Sequence, residues 1–320
     1  MTTPLSFDVM PTPLDTPTPK VIVLLATYNG IAWVKQQILG ILGQTGVSMS
    51  LIVSDDLSTD GTWECLLKLS SEHHDVRILP HGGKFGGAAK NFFRLLRDAD
   101  LRNIDYVSFA DQDDLWPHDK LLRAHQVLLR TGAACYSSNV TAFWPDGRKA
   151  LIKKSQPQVQ WDFLFEAAGP GCTYVMRKEF ACAVQDVVRS RWDEMQEVGL
   201  HDWFVYAFAR ANGYRWVIDD VPSMLYRQHE NNQVGVNAGW RAFVHRADKV
   251  FGGWGLAQSA LIARLVGLGD DPFVLRWAGG GRLGLLYLAL NAGHFRRRVR
   301  DKIIFGFGCL LLSITRRRRR

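Results

Sequence analysis

Four short runs of apolar, largely β-branched residues recur in the first third of the chain, at positions 21–26, 51–54, 76–79 and 106–110. None alternates apolar with polar positions, and a nearly continuous apolar run of this length is what a strand buried on both faces requires. The segments between them, residues 33–42, 61–71 and 88–98, are each long enough for about three helical turns. Strand and helix in alternation predict a parallel sheet covered by helices. Right-handed crossovers then bring the carboxyl ends of all four strands to one edge, where open α/β sheets take their ligands.

Beyond Pro117, which suits a first helical turn, the pattern predicts a helix to about Arg130, a strand over 133–140 and a turn at Pro145-Asp146-Gly147. Residues 145–160 read as a polar surface loop. Further strands are expected at 172–176, after Gly169-Pro170-Gly171, and at 214–218 and 223–226, with an apolar helical run from His201 to Ala209. Two apolar runs, 283–290 and 303–312, flank a cationic stretch at 296–302. Continued to Ile314, the second run would be roughly 18 Å long as a helix, too short for a hydrocarbon core of about 30 Å. It is expected to lie in a membrane interface with its arginines on anionic headgroups. The division that follows is a disordered leader (1–19), an α/β domain (20–240) and a helical extension with a basic amphipathic tail (241–320).

Composition sharpens this picture chiefly through the location of charge. The formal net charge of the 320 residues is +8. Ten Lys and Arg against one acid lie in 294–320, which leaves 29 basic and 30 acidic residues, a net of −1, for 1–293. A neutral body carries no basic face for nucleic acid, whereas the cationic end points to an anionic surface. The five cysteines form no C-x-x-C pair and no zinc spacing, which suits a reducing compartment. The first 20 residues hold five prolines and no basic stretch followed by an apolar core, so they read as leader rather than secretory signal.

The chemistry concentrates where strands end. The first strand runs into Thr27-Tyr28-Asn29-Gly30, and the second into Asp55-Asp56-Leu57-Ser58-Thr59-Asp60-Gly61-Thr62. Ser58 to Asp60 read as helix caps, while Asp55 and Asp56 come too early to cap and are candidates to meet a ligand's donors. The fourth strand ends in Asp111-Gln112-Asp113-Asp114, whose carboxylates repel one another unless a cation or donors compensate. Asp111 and Asp113 can converge on a hard divalent ion such as Mg²⁺ or Mn²⁺. His81 to Gly87 is glycine-rich without the Walker spacing, and Gly279 to Gly284 matches G-x-G-x-x-G only formally and reads as a glycine joint. Asp202, at a helix start, either complements the helix dipole or acts as a base. Residues 226–232, Tyr-Arg-Gln-His-Glu-Asn-Asn, pack donors and a histidine after a strand.

Together these motifs resemble the family 2 glycosyltransferases, whose nucleotide-diphospho-sugar-binding architecture is called GT-A. The resemblance runs from about Val21 to Asn232. It rests on Ala26-Thr27-Tyr28-Asn29-Gly30, on the Asp55 to Thr62 stretch, and on Phe109-Ala110-Asp111-Gln112-Asp113-Asp114 with Trp116. Leu57 departs from the commoner Gly of the second motif. Within the family, the Asp111 to Trp116 run, His201-Asp202-Trp203 and Tyr226-Arg227-Gln228-His229 are most similar to bacterial rhamnosyltransferases that build cell-surface polysaccharide such as O-antigen. The resemblance implies that Thr27, Tyr28, Asn29, Asp55 and Asp56 hold the nucleotide, with contributions from Lys90 and Asn91, and that Asp111 and Asp113 hold Mg²⁺ or Mn²⁺. It implies Asp202 as general base of an inverting transfer, His201, Trp203 and Arg227 as substrate contacts, and His229 on the metal or the diphosphate. A saccharide or lipid-linked acceptor, at the inner face of the cytoplasmic membrane, completes the expectation. A sugar nucleotidyltransferase and a non-catalytic nucleotide-sugar-binding protein are the alternatives. The first would carry a Gly-rich basic loop where Thr27 to Ile31 stands, and intact Asp111, Asp113 and Asp202 weigh against the second.

Overall fold

The computed structural model describes residues 17–229 and 253–315. The bulk of the expected leader, Glu230-Asn231-Asn232, the domain boundary near 240 and the last five arginines lie outside the described residues. Strands β1 (Lys20–Thr27), β2 (Ser48–Asp55), β3 (Val76–Ile78) and β4 (Tyr106–Asp111) are mutually parallel and lie in the order β3-β2-β1-β4. Helices α1 (Val34–Leu42), α2 (Thr62–Glu72) and α3 (Ala88–Asp98) are the crossovers. The unbroken apolar runs are explained by two cores, one on each face of the sheet. Along β1, Ile22 and Leu24 enter the core with Phe92 and Phe93 of α3, while Val21, Val23 and Leu25 enter the other with Val34 and Ile38 of α1.

The sheet continues past α4 (Lys120–Thr131) with β5 (Cys135–Ser138), β8 (Val175–Arg177) and β9 (Trp216–Asp219). β8 runs antiparallel to both β4 and β5. The strand expected over 133–140 breaks in two at Asn139, whose neighbours Val140 to Phe143 form β6 in a second, three-stranded sheet. Part of the expected 145–160 loop is strand β7 (Lys149–Ile152), antiparallel to β6, and β10 (Leu225–Arg227) lies on the other side of β6. Residues 172 and 173, expected to open the strand 172–176, belong instead to a 3₁₀ turn (Gly171–Thr173). Helices α5 (Lys178–Ser190), the one-turn α6 (Trp192–Met195) and α7 (His201–Ala211) cover the α3 side.

The extension consists of α8 (Trp254–Leu265), α9 (Pro272–Ala278), α10 (Arg282–Leu290) and α11 (Val299–Thr315). It does not stand apart from the α/β fold. Phe273, Trp277, Phe295 and Phe305 join Phe163 and Phe165 in the α3-side core, with ring centroids 5.1–5.3 Å from Phe165 for Trp277, Phe295 and Phe305. The other face of the last two helices is apolar and bare. Val299 (71% exposed), Ile303, Phe307, Leu311 and Ile314 recur every three or four residues along α11, beside Leu283 and Leu290 of α10. No described helix is long and apolar enough to cross a membrane.

The glycine-rich 279–284 segment is the α9–α10 joint. Gly280 takes a positive φ of 62°, and Gly284 lets the two helices touch backbone to backbone. A Cβ on Gly284 would lie 2.5 Å from the Arg276 carbonyl oxygen and 2.9 Å from the Trp277 Cα. Gly284→Ala should therefore cost about 1–3 kcal/mol in urea unfolding, the scale of overpacking. Gly279→Ala, whose methyl would meet no atom within 4 Å, should shift stability by less than about 0.5 kcal/mol.

Candidate active site

The carboxyl ends of β1, β2 and β4 open into a cleft of about 1040 Å³. At its floor Thr27 Oγ1 donates to Asp55 Oδ1 across the β1–β2 register (2.9 Å), and Asp55 also accepts from the Ser58 amide (2.8 Å) and hydroxyl (2.6 Å). Asp55 is thus a buried tie behind the cleft wall rather than part of it. Asp56 reaches the wall, and its carboxylate accepts from the backbone N–H groups of Phe85, Gly86 (2.9 Å) and Gly87 (3.2 Å), fixing the glycine loop over the strand ends. Asp60, not Ser58, tends the start of α2, accepting from the Thr62 amide and hydroxyl. Asn29 and Leu57 both have positive φ, 47° and 57°. The conformation at Leu57 explains why glycine is commoner there, since a branched side chain in this region carries a strain of order 1–2 kcal/mol.

Tyr28 is held by two main-chain bonds to the Gln112 side chain, each 2.9 Å. Gly30 makes room for that amide, because a Cβ there would fall 2.2 Å from Gln112 Oε1. Asn91 lines the cleft and donates to the Ser54 carbonyl (2.8 Å), while its own Oδ1 is buried without a hydrogen bond. Lys90 is half-buried and is not part of the cleft wall.

Asp111 and Asp113 both face the cleft. Asp113 Oδ2 lies 2.6 Å from His229 Nε2, and the His229 ring stacks on Trp33 at 4.3 Å. Arg227 braces this corner from behind, its Nε donating to the Asp113 carbonyl (2.8 Å) and its amide to Asp114 Oδ1 (3.4 Å). Burial, then the charge of Asp113, pushes Asp111 and Asp114 above the usual carboxylate range, with Asp202 adding to Asp111. Oxygens of Asp111 and Asp114 and the Cys172 sulfur lie within 4.8 Å of one another. The Cys172 thiol is pushed up by burial and by the same two acids, so it is a neutral neighbour rather than a thiolate ligand. Crowded hard oxygen donors with elevated proton affinity, one buried oxygen of Asp114 having no hydrogen bond, are a donor set that fits a divalent cation.

The adjoining wall begins at α7. A Cβ on Gly171 would lie 2.5 Å from His201 Nε2 and 3.2 Å from Asp202 Cβ, so the glycine admits both side chains. His201 stacks on Phe92 at 3.9 Å, and burial pushes it down to about 3, making it neutral. Trp203 turns into the core and donates Nε1–H to the Phe163 carbonyl (2.9 Å), away from the cleft. Asp202 stays in the cleft. Burial pushes its carboxyl up to about 6, against the lowering effects of the Trp203 amide and of Lys154.

Several wall residues carried no signal in the sequence. Trp33 and Gln112 act through packing and backbone bonds that only the fold brings together. Lys154 lies in a polar run without a motif. Arg296, Arg298 and Arg300 were read as part of a membrane-facing stretch, but they line this cleft, and Arg297 beneath them is 6% exposed. Their apolar partner in sequence, Phe295, is in the core, which pins the stretch to the domain.

A family model described as Glycosyl transferase family 2 matches residues 22–178. The dTDP-rhamnosyl transferase RfbG of Shigella flexneri is 46% identical over 280 residues, covering 87% of this chain and 96% of that protein. The succinoglycan biosynthesis protein ExoW of Rhizobium meliloti is 30% identical over 132 residues, 38% of this chain and 39% of its own. Among solved structures, residues 1–349 of TarS from S. aureus with UDP-GlcNAc superpose with a TM-score of 0.53 at 13% identity, covering 92% of this chain and 91% of that one. The mannosyltransferase PcManGT of Pyrobaculum calidifontis, with GDP-Man and Mn²⁺, gives 0.52 at 18% identity, covering 97% and 91%. At these identities the structural likeness speaks for fold alone. Sequence match and strand-end geometry agree, and the chain belongs to glycosyltransferase family 2, with the GT-A fold.

Proposed function

We propose that this glycosyltransferase moves rhamnose from dTDP-rhamnose to a saccharide acceptor in the synthesis of O-antigen-like cell-surface polysaccharide, by one inverting displacement. Donor sugar and nucleotide are those named for the Shigella relative, and near-full-length identity of 46% supports carrying them over. The observation that carries the reaction type is Asp202, a carboxylate held near 6 that lines the same cleft as Asp111 and Asp113. A base with that proton affinity is ionised at neutral pH yet still takes a proton as an alcohol becomes a nucleophile. Asp202 accepts the acceptor hydroxyl's proton. The freed oxygen bonds to the anomeric carbon from the face opposite the diphosphate, and the bond from that carbon to the diphosphate oxygen breaks, inverting the configuration. Thr27, Tyr28, Asn29, Asp56 and Asn91 hold the nucleotide end, with Asp55 fixing Thr27. Asp111 and Asp113 would hold Mg²⁺ or Mn²⁺, which when bound offsets charge on the departing diphosphate. His229 keeps Asp113 in place through their 2.6 Å contact.

The bare stripe of α10 and α11 supports a place at the inner face of the cytoplasmic membrane. At 17 residues α11 measures about 26 Å, short of a hydrocarbon core of about 30 Å. Lying flat, it would sink Val299, Ile303, Phe307 and Ile314 into the acyl boundary. Such attachment confines the enzyme to the surface that carries a lipid-linked acceptor.

Four outcomes are expected. Transfer should fall with decreasing pH through about 6, because the base is active only when ionised. Asp202→Asn should abolish that limb and slow transfer by roughly 10²-fold or more, with dTDP affinity retained in a fluorescence titration. Loss of dTDP binding would instead make Asp202 a donor-site residue. Chelation should stop transfer from dTDP-rhamnose and added Mg²⁺ or Mn²⁺ restore it, and undiminished turnover in excess EDTA would exclude a required cation. Finally, the chain should sediment with phosphatidylglycerol vesicles, and Ile303→Asp with Phe307→Asp should release it without unfolding, since both side chains point outward. Sedimentation equal to that of the unaltered chain would rule out this face.

A further inference from the structure

The cleft has a cationic wall that the strand-end chemistry does not use. Lys154, Arg296, Arg298 and Arg300 line it together with Asp202. Their positions are built in. Asn139, at the point where the chain leaves the main sheet for the small one, accepts from the Lys154 amide (2.6 Å), and the lysine stem packs over Gly169. Arg297, buried directly behind, lies 3.6 Å from Asp162 and 3.5 Å from Glu166, and its amide donates to Glu166 (2.7 Å). Arg296 donates to the Phe165 carbonyl (2.6 Å). Asp162 also serves Arg210 at 3.0 Å, so the nearby acids are already engaged. The Lys154 ammonium and the Arg298 guanidinium form no hydrogen bond or ion pair among the described residues. Burial and the charges of Arg297, Arg298 and Arg296 hold Lys154 below its ordinary range, with Glu166 opposing. Arg296 and Arg300 keep Glu166 at 4.0 Å and Asp301 at 3.4 Å, whereas Lys154 and Arg298 stand in the cleft without an ion pair, which is costly until an anion joins them.

The side of the cleft follows from Asp202. The Lys154 stem packs over Gly169, and Gly171 two residues on meets the Asp202 Cβ, so Lys154 adjoins the base, whereas the Asp111–Asp113 corner lies at the end of β4 beside β1. That corner belongs to the donor diphosphate in the reading above. Val299, between Arg298 and Arg300, is the first residue of the bare apolar stripe of α11. We infer that Lys154 and Arg298, backed by Arg296 and Arg300, form an acceptor subsite for a phosphate or diphosphate ester whose lipid chain runs onto the exposed face of α11. The inference rests on the glycosyltransferase reading and specifies its acceptor.

The test is binding of farnesyl diphosphate to the full chain saturated with dTDP and Mg²⁺, followed by intrinsic fluorescence. The unaltered chain should bind it, inorganic pyrophosphate should compete, and farnesol should not bind. Lys154→Ala with Arg298→Ala should weaken binding about tenfold or more, the scale of lost charge-assisted hydrogen bonds, while the dTDP affinity measured alone stays within about twofold. Arg298→Gln, which removes no internal hydrogen bond, should weaken it in the same direction even if the double variant fails to fold. Equal affinity in Arg298→Gln and the unaltered chain would overturn the subsite, as would farnesol binding as tightly as its diphosphate. A parallel loss of dTDP affinity would return the cations to the donor and leave the glycosyltransferase reading intact.

Discussion

Negative charge brought together at the carboxyl edge of a buried parallel sheet is the constraint that the surrounding structure answers. Asp55, Asp56, Asp111, Asp113 and Asp114 sit buried or half-buried at or just past the ends of β2 and β4, with the exposed Asp60 a few residues beyond. Most have a fixed partner: Thr27 and Ser58 for Asp55, three loop amides for Asp56, Thr62 for Asp60, His229 for Asp113 and the Arg227 amide for Asp114. Ser58 and Thr62 are local, but Thr27, the 85–87 amides, Arg227 and His229 come from distant segments, so satisfying the acids also ties the glycine loop and the 225–229 segment to the sheet edge. Asp111 and Asp202 are treated differently. Neither forms an ion pair among the described residues, and both hold protons more tightly than a free carboxylate. The unmatched charge is therefore left where ligand and substrate arrive, as expected when a site's own groups are completed by what it binds.

The second wall has the opposite sign and a different origin. It comes from Lys154 and from the segment leading into α11, and it meets the acidic edge at Asp202. A carboxylate at such a boundary feels burial and a cation in opposition, and the balance leaves it at about 6. Had Asp202 been surrounded by acids alone, it would be protonated at neutral pH. Fully paired with a guanidinium, it would hold a proton far less tightly.

Much of the fold was legible because buried parallel strands and their crossover helices write themselves locally. The helix over 88–98 is found at the expected residues, and those expected over 33–42, 61–71, from Pro117 and from His201 differ by at most three residues at either end. The second half was harder. Asn139 breaks a run that looks like one strand because its side chain binds Lys154, Ser155 and the Asp220 carbonyl, groups 15 to 81 residues away. β7 escaped notice because it is a short, largely exposed edge strand with a polar start, KALI, after a turn. In the site, the strand-end acids were visible as clusters, but their division of labour was not. Asp55 and Asp56 are adjacent in sequence, yet one is an internal tie and the other clamps a loop. Trp203 looks like part of a site motif but serves the core. The cationic stretch was visible as charge, and only the burial of Phe295 and Arg297 turns it toward the cleft.

That buried arginine also links the two ends of the molecule in time. Arg297 bonds to Glu166 across 131 positions of sequence, and Phe165 shares its core with Phe295 and Phe305. Contacts of such separation close late, after local helices and neighbouring strands have formed. The β1–β2 part of the sheet edge, whose ties span 28 and 29 positions, can therefore exist before the cationic wall does, while the Asp113 corner waits on His229, 116 positions away. The extension can also come away from it as a unit, by a sub-global opening that leaves the sheet folded. In that opened state the acidic strand ends would keep their geometry, but the cleft would lack the cationic wall beside Asp202. Amides of α11 and of the 292–298 segment would then exchange with solvent sooner than those of β1 and β4.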